Sequence, residues 1–382
     1  MLNEMRWSFR IARVSGIDIR VHVTFALVVM LGADSAMSVY GASSAWFGVL
    51  LICSLFLCVT LHELGHSLVA QRFGIRVHEI VLLPIGGVAR LGREPSKPSH
   101  ELLIAIAGPL VNVLIAAALM TVPGTRPWQL AADVEFRKAV LATPSSEAFF
   151  ALLLGLNLML AVFNMIPALP MDGGRVFRAV LTFVFGRLRA TNIASAVGQI
   201  LALGLVVLAV MRQDPILVLI GMLVFFGAGQ ERYVARTKEL LAELRAGEVC
   251  DPNAVIVAPD DTIGTVVDHL LRGPQTHFAM MHGRQLIGTL SRDDVLLAAG
   301  KLGVYAPALS ALRRELNVVD ASVSLDEVRA KLIEASGRPV VVTSAEGPLG
   351  VLGLDDMGRI AGLAERLSEQ GVKRRAQPEL TS

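Results

Sequence analysis

Residues 46–70 read WFGVLLICSLFLCVTLHELGHSLVA. From Trp46 to Val59 there is no charged side chain, and the run leads straight into His62-Glu63-Leu64-Gly65-His66. About 20 apolar residues suffice to cross a bilayer, so this motif lies at membrane depth, where ionisable groups are expensive and are generally functional. Residues four apart share a helix face. His62 and His66 can therefore offer two imidazoles to one metal ion, with Glu63 one step round the helix, placed to work on a metal-bound water. H-E-x-x-H on a helix is the zinc metallopeptidase signature. The competing reading is two polar residues near a helix end. His62 follows Trp46 by sixteen residues, about 24 Å at 1.5 Å per residue. If this segment enters from outside, the pair lies toward the cytoplasmic side, within reach of water.

The rest of the chain supports a membrane setting. Of 382 residues, 53% are hydrophobic and only 18% charged, against about a quarter charged in soluble proteins. Long apolar runs stop near residue 230. Six are long enough, or nearly so, to span: 17–31, 46–73, 101–122, 148–165, 193–211 and 215–228. An amphipathic stretch, 174–188, follows the fourth. Basic residues alternate along the chain. The N-terminal segment carries Arg6, Arg10, Arg13 and Arg20, and the loop 32–45 has none. Arg72, Arg76, Arg90, Arg93 and Lys97 follow the second span, and Arg126, Arg137 and Lys138 after the third are offset by acids. This pattern places both termini in the cytoplasm. The first apolar run begins late and lacks a small-residue cleavage site, so no cleavable signal is expected. A net charge of +2 says little about partners, but the basic residues are scattered near helix ends rather than gathered into a patch for nucleic acid. Cys53, Cys58 and Cys250 form neither a disulfide framework nor a cysteine zinc site.

A catalytic zinc usually has three protein ligands. After the fourth span comes NMIPALPMDGGR, residues 164–175, where two prolines and two glycines break the helix. Asp172 is the one acid in that break. It can be the third ligand, or the N-cap of the helix that follows. Residues 76–91, RVHEIVLLPIGGVARL, read as a strand or hairpin near the site. Its edge could pair with an extended substrate, or the segment is a plain structural turn. Gly108, Pro109 and Asn112 either pack against the site or serve as contacts between helices. His22, His78 and His100 are expected to be structural, and Trp46 and Trp128 to anchor span ends.

With HELGH at 62–66, PIGGVARL at 84–91, GPLVN at 108–112 and FNMIPALPMDGGR at 163–175, residues 10 to 230 resemble the site-2 protease family of intramembrane zinc metalloproteases. The resemblance implies one Zn2+ per chain on His62, His66 and Asp172, Glu63 as general base, and Asn164 helping to polarise the scissile carbonyl. It also implies cleavage of single-span membrane proteins, in regulated proteolysis within the lipid bilayer.

Beyond residue 240 the composition turns ordinary and a repeat appears at an offset of sixty-two. Thr262-Ile263 matches Ser324-Leu325, Val266 matches Val328, Gly288 matches Gly350, and Asp293-Asp294 matches Asp355-Asp356. Residues 247–365 resemble a pair of CBS domains. That resemblance implies an adenine nucleotide site using Ser291 and Asp294 in the first copy. In the second copy Gly353 replaces the hydroxyl that would accompany Asp356. A homodimerisation or packing module without ligand is the alternative. The expected organisation is a protease part at 1–230, a linker helix at 231–246, tandem CBS domains at 247–365 and a disordered tail at 366–382. The expected fold is a polytopic α-helical membrane protein of about six spans, with a small membrane-associated β element and a soluble α/β pair. A catalytically silent receptor or scaffold, or a transporter, are the other readings, and the HExxH motif with Asp172 argues against both.

Overall fold

Ile17, Ile19 and Val21 alternate with Asp18, Arg20 and His22, a period of two that suits a half-buried strand. A strand is what these residues form, in a computed structural model that describes residues 7–84, 86–92, 94–95, 97–122, 133–250, 254–273, 275–283, 285–313, 316–335, 337–345 and 347–369. Strand β1 (Ser8–Val14) turns into β2 (Ile17–His22), which is followed by helices α1 (Phe25–Tyr40) and α2 (Ala45–Arg72). The hairpin β3 (Val77–Leu83) and β4 (Gly86–Leu91) comes next. Helices α3 (Pro98–Met120), α4 (Val134–Val140), α5 (Ser146–Asn164), α6 (Asp172–Phe185), α7 (Arg187–Met211) and α8 (Pro215–Glu243) complete the first part.

The span expected at 17–31 is thereby corrected. Its first six residues are β2, and the helix that follows has 16 residues. The many apolar residues of this stretch hid the alternation. Among the described residues, five helices are long and apolar enough to cross a membrane, beginning at residues 42, 98, 146, 187 and 215. The amphipathic stretch expected at 174–188 starts earlier and stops at Phe185, because Gly186 takes φ +77° between α6 and α7. Arg6, Ile85, Arg93, Arg126, Trp128 and residues 370–382 of the expected tail lie outside the described residues.

The sheet runs β1-β2-β3-β4, with β2 and β3 parallel and the other pairs antiparallel. A parallel pair needs a crossover, and α1 and α2 provide it. They run antiparallel: Phe25 meets Phe56, Gly32 meets Gly48 and Tyr40 meets Phe47. A Cβ on Gly48 would strike the Gly32 carbonyl, so the crossing depends on small residues. Ile17, Ile19, Val77, Ile80 and Leu82 of the sheet pack with Phe56, Leu64 and Ala70 of α2 and Ile104 of α3. Arg20 ties the first three strands, donating to Ser8 Oγ at 2.9 Å and standing 3.6 Å from Glu79. The hairpin expected at 76–91 is therefore present, held by the parallel neighbour β2, with β4 at the sheet edge.

The chain divides into two compact units, Met1–Arg232 and Tyr233–Ser382. Helix α8 absorbs most of the expected linker. In the second unit, after the short α9 (Ala246–Val249), the order β5 (Ile256–Val257), α10 (Ile263–Arg272), β6 (His277–His282), β7 (Gln285–Ser291), α11 (Arg292–Leu302) is followed by its copy. That copy is β8 (Asn317–Asp320), α12 (Leu325–Glu334), β9 (Val340–Ser344), β10 (Gly347–Leu352), α13 (Leu354–Glu369). Each sheet has one parallel and one antiparallel pairing. The repeat is physical. Thr262 and Ser324, sixty-two apart, each cap a helix by accepting a backbone N–H three residues on. Val266 and Val328 are both buried. Helix α13 runs past the boundary expected at 365 and ends at Glu369.

The two copies have separate apolar cores, one around Phe278, Met280 and Leu290, the other around Leu325, Leu332 and Val340. Leu325→Ala should therefore speed hydrogen exchange of the β9 amides by the equivalent of about 2–5 kcal/mol, with β6 amides unchanged. Equal loss in both sheets would show that the copies unfold as one.

Candidate metal centre

One turn of α2 carries His62, Glu63 and His66, and the histidines are buried. Their Nε2 atoms are 3.1 Å apart. Asp172 Oδ2 lies 3.0 Å from His66 Nε2 and 3.2 Å from His62 Nε2. Ligand atoms about 2.0–2.1 Å from a tetrahedral zinc would be about 3.3 Å from one another. The three atoms are thus set for a small ion at their centre. Asp172 is the first residue of α6, and the capping position belongs to Met171, which makes no side-chain cap. The N-cap reading of Asp172 therefore gives way to the cluster.

Hydrogen bonds behind the rings decide where the protons are. His66 Nδ1 faces the Ile104 carbonyl at 2.6 Å, which can only accept. His62 Nδ1 faces Asn112 Oδ1 at 2.5 Å. The orientation of that amide follows from a chain of bonds. Asn157 Nδ2 donates to the Leu153 carbonyl at 2.9 Å, so its Oδ1 is left to accept from Asn112 Nδ2, at 2.9 Å, and Asn112 Oδ1 must accept from His62. Each neutral ring thus has its proton on Nδ1 and its lone pair on Nε2. With both rings neutral, two imidazole lone pairs and a carboxylate oxygen converge within 3.2 Å. That arrangement repels itself unless a proton or a metal cation sits there, and a nitrogen–nitrogen–oxygen set suits Zn2+.

Close backbone approach makes the cluster possible. A Cβ on Gly108 of α3 would run into both imidazoles. Gly173 and Gly174 let the start of α6 press on the carbonyls of Met165, Ile166 and Ala168, which brings Asp172 in from a broken helix. Glu63 is half-buried, and a Cβ on Gly87 of β4 would stand 2.6 Å from its Cγ, so the hairpin covers this carboxylate. Arg175 Nη1 is 3.8 Å from Asp172 Oδ1. Asn164 ends α5, half-buried, and among the described residues its side chain makes no hydrogen bond.

His62, Glu63 and His66 share one turn as their spacing predicts, the tertiary fold brings Asp172 to the histidines, and Asn112 bonds His62. Asn157 escaped sequence reasoning. Its signal was visible: it is the lone amide in the apolar run 148–163. His22 bonds Thr24 Oγ1 at 2.7 Å, and His100 stacks on Phe73 with ring centroids 4.0 Å apart, both structural as expected.

In the second unit Ser291 and Asp294 form a capping box on α11, and Arg313 Nε donates to Asp294 Oδ1 at 2.7 Å. Both carboxylate oxygens of Asp294 are engaged. Asp356 belongs to a different cluster. It accepts from the Gly353 N–H at 2.9 Å and from Arg359 at 2.9 Å, and His277 is 3.9 Å away. A cavity of about 170 Å3 opens there, lined by Cys250, Thr276, His277, Asp356 and Arg359. Its volume is below the roughly 300 Å3 of small ligand pockets. The His277 ring fills the space over Gly353 that a side chain would need. Burial holds the His277 imidazole below its ordinary pKa and, with Asp356, pushes the Cys250 thiol up to about 11, which makes that thiol inert.

The peptidase family M50 profile matches residues 50–208, which carry all the groups of the metal cluster. The CBS domain profile matches residues 246–301, the first copy of the repeat. The zinc metalloprotease MJ0392 of Methanocaldococcus jannaschii is 35% identical over 303 residues, covering 79% of this chain and 83% of the relative. A Synechocystis sp. protein, provisionally named a zinc metalloprotease, is 30% identical over 363 residues, 90% of this chain and 92% of its own length. Among solved structures, the site-2 protease from Methanocaldococcus jannaschii matches at 37% identity with a TM-score of 0.43, covering 59% of this chain and 95% of that one. Similarity of this extent across the relatives' lengths places the chain in peptidase family M50, as a multi-pass, intramembrane metalloprotease of the site-2 type followed by a CBS domain.

Proposed function

We propose that His62, His66 and Asp172 hold one Zn2+ and that the chain hydrolyses peptide bonds in transmembrane segments of single-span membrane proteins. The observation that carries this reading is the convergence of two buried imidazole Nε2 atoms and a carboxylate oxygen within 3.2 Å of one another. When bound, the zinc supplies Lewis acidity and a water acidified toward neutral pH. Glu63 takes a proton from the attacking water at its carboxylate and delivers it to the leaving amine nitrogen. The Asn164 amide, free of other partners among the described residues, donates to the carbonyl oxygen as charge develops there. Asn112 and the Ile104 carbonyl keep both imidazoles in the ligating tautomer.

Substrate must be extended to be cut. β4, the sheet edge among the described residues, lies beside Glu63 at Gly87 and offers backbone groups to an unwound segment. Both termini lie in the cytoplasm in this reading, which the arginine pattern supports. The protease part spans 1–230, and residues 247–365 regulate it from the cytoplasm, by a nucleotide or by pairing with a second copy. Ser291, Asp294 and Asp356 are the candidate nucleotide contacts. Their use in capping and the small cavity at Asp356 favour pairing, as do the exposed apolar side chains Leu271, Leu296, Leu297 and Tyr305 of the first copy.

Glu63→Gln should keep stoichiometric zinc and lose cleavage of a transmembrane-segment peptide in detergent, since it removes a base and no ligand. Substantial hydrolysis by this variant would overturn the mechanism. Asp172→Ala should lose the metal itself, and metal analysis of the folded variant decides this. Asn112→Ala, which leaves the ligands intact, should weaken zinc affinity about 10–100-fold in a chelator competition; unchanged affinity would reduce Asn112 to a helix contact. For the second unit, calorimetry of the full-length protein with ATP, ADP and AMP separates the two modes. Binding abolished by Asp294→Ala or Asp356→Ala would establish a nucleotide site. No heat at millimolar ligand, with a dimer in detergent that Leu296→Asp dissociates, would establish pairing.

A further inference from the structure

Arg178 lies on α6 six residues beyond Asp172, about 9 Å along the helix, and is buried. Its Nε and Nη2 both reach Glu101 Oε1, at 2.7 and 2.6 Å, and its Nη1 donates to Glu231 Oε2 at 2.7 Å. Glu101 belongs to α3 and Glu231 to α8. The other oxygen of Glu101 is 3.6 Å from Arg187 Nη1, at the start of α7. One guanidinium thus fastens the helix that bears Asp172 to two others, using the planar fork that lysine lacks.

The α3 end of this clasp matters for the metal cluster. Glu101, Gly108 and Asn112 follow at intervals of seven and four, so they share one face of α3. That face abuts both imidazoles at Gly108 and orients His62 through Asn112. Fixing α6 to it fixes the carboxylate ligand relative to the nitrogen ligands. The two ends of the clasp differ in exposure. Glu101 is 1% exposed, so loss of Arg178 would leave a buried charge uncompensated. The Glu231 side chain is 39% exposed and can be released without that penalty. It sits on α8, the helix that continues from the first unit into the second.

We infer that Arg178, clasped by Glu101 and Glu231, is a positioning residue that sets how Asp172 meets His62 and His66, with Glu231 as the releasable half. The inference rests on the metal-site reading above. It is tested on full-length protein in detergent, with Co2+ in place of zinc so that the visible spectrum reports ligand geometry. Loss of a group bonded directly to a metal ligand moves metal affinity about 10–100-fold. Arg178 acts one step further off, so Glu231→Gln should release cobalt to a chelator about three to ten times faster and alter its visible bands. It should also lower kcat several-fold with KM little changed, and Glu231→Asp should recover part of each effect. Arg178→Lys, which keeps the charge without the fork, should resemble Glu231→Gln. Release rate, spectrum and kcat of Glu231→Gln all equal to wild type would overturn the positioning role while leaving the metal site standing. A wild-type chain that takes up no cobalt would overturn the metal site and this inference with it.

Discussion

Three lone pairs, on His62 Nε2, His66 Nε2 and Asp172 Oδ2, face one another across about 3 Å inside a bundle of apolar helices. In surroundings of low polarity the lone pairs of neutral rings repel one another and the carboxylate, and a proton or a metal ion at their centre turns that repulsion into attraction. Much of the first unit answers to that constraint. The imidazoles come from one helix face because four residues make about one turn. The carboxylate must come from another direction, which a continuous span cannot supply. Residues 165–171 break the helix for it, and Gly173 and Gly174 let the new helix begin against the carbonyls of the break. Gly108 clears the space that the rings occupy.

The sheet answers a second need. Non-helical backbone at membrane depth survives only where protein buries it or water lines it. The hairpin β3–β4 is tied on one side to β2 and packed on α2 and α3 through Ile80 and Leu82. Its other side, β4, is the edge of the sheet among the described residues and sets Gly87 against Glu63. An open edge is a hazard in a soluble protein, but beside a peptidase centre it matches what an extended peptide requires. The metal cluster thus has the Glu63 carboxylate and the Gly87 backbone of β4 beside it.

The second unit shows how one sequence pattern serves two roles. An acid three residues after a helix cap satisfies orphan N–H groups at the start of a helix, and Asp294 and Asp356 both do so. The same residues would be the ones to hold a ribose. Asp294 is further engaged by Arg313, and the space over Gly353 is taken by His277. Fold maintenance therefore accounts for both acids.

How much of this was legible beforehand follows from the range of each interaction. HExxH specifies a helical turn, and its chemistry is local, so His62, Glu63 and His66 could be read directly. The offset of sixty-two between Thr262 and Ser324 declared the repeat because each copy caps its helices within three residues. The hairpin at 76–91 was legible from its β-branched residues and paired glycines. Ile17–His22 passes for membrane span when its apolar side chains are counted together, and shows itself as a strand when the two-residue period of Asp18, Arg20 and His22 is followed. Only the tertiary structure could bring Asp172, 106 residues from His66 in the chain, beside both histidines. It alone showed that Asn112 and Asn157 relay a tautomer to His62, and that Arg178 unites Glu101 with Glu231. Such contacts depend on which helix faces meet, and hydropathy marks a helix as buried in lipid without saying which neighbour it touches.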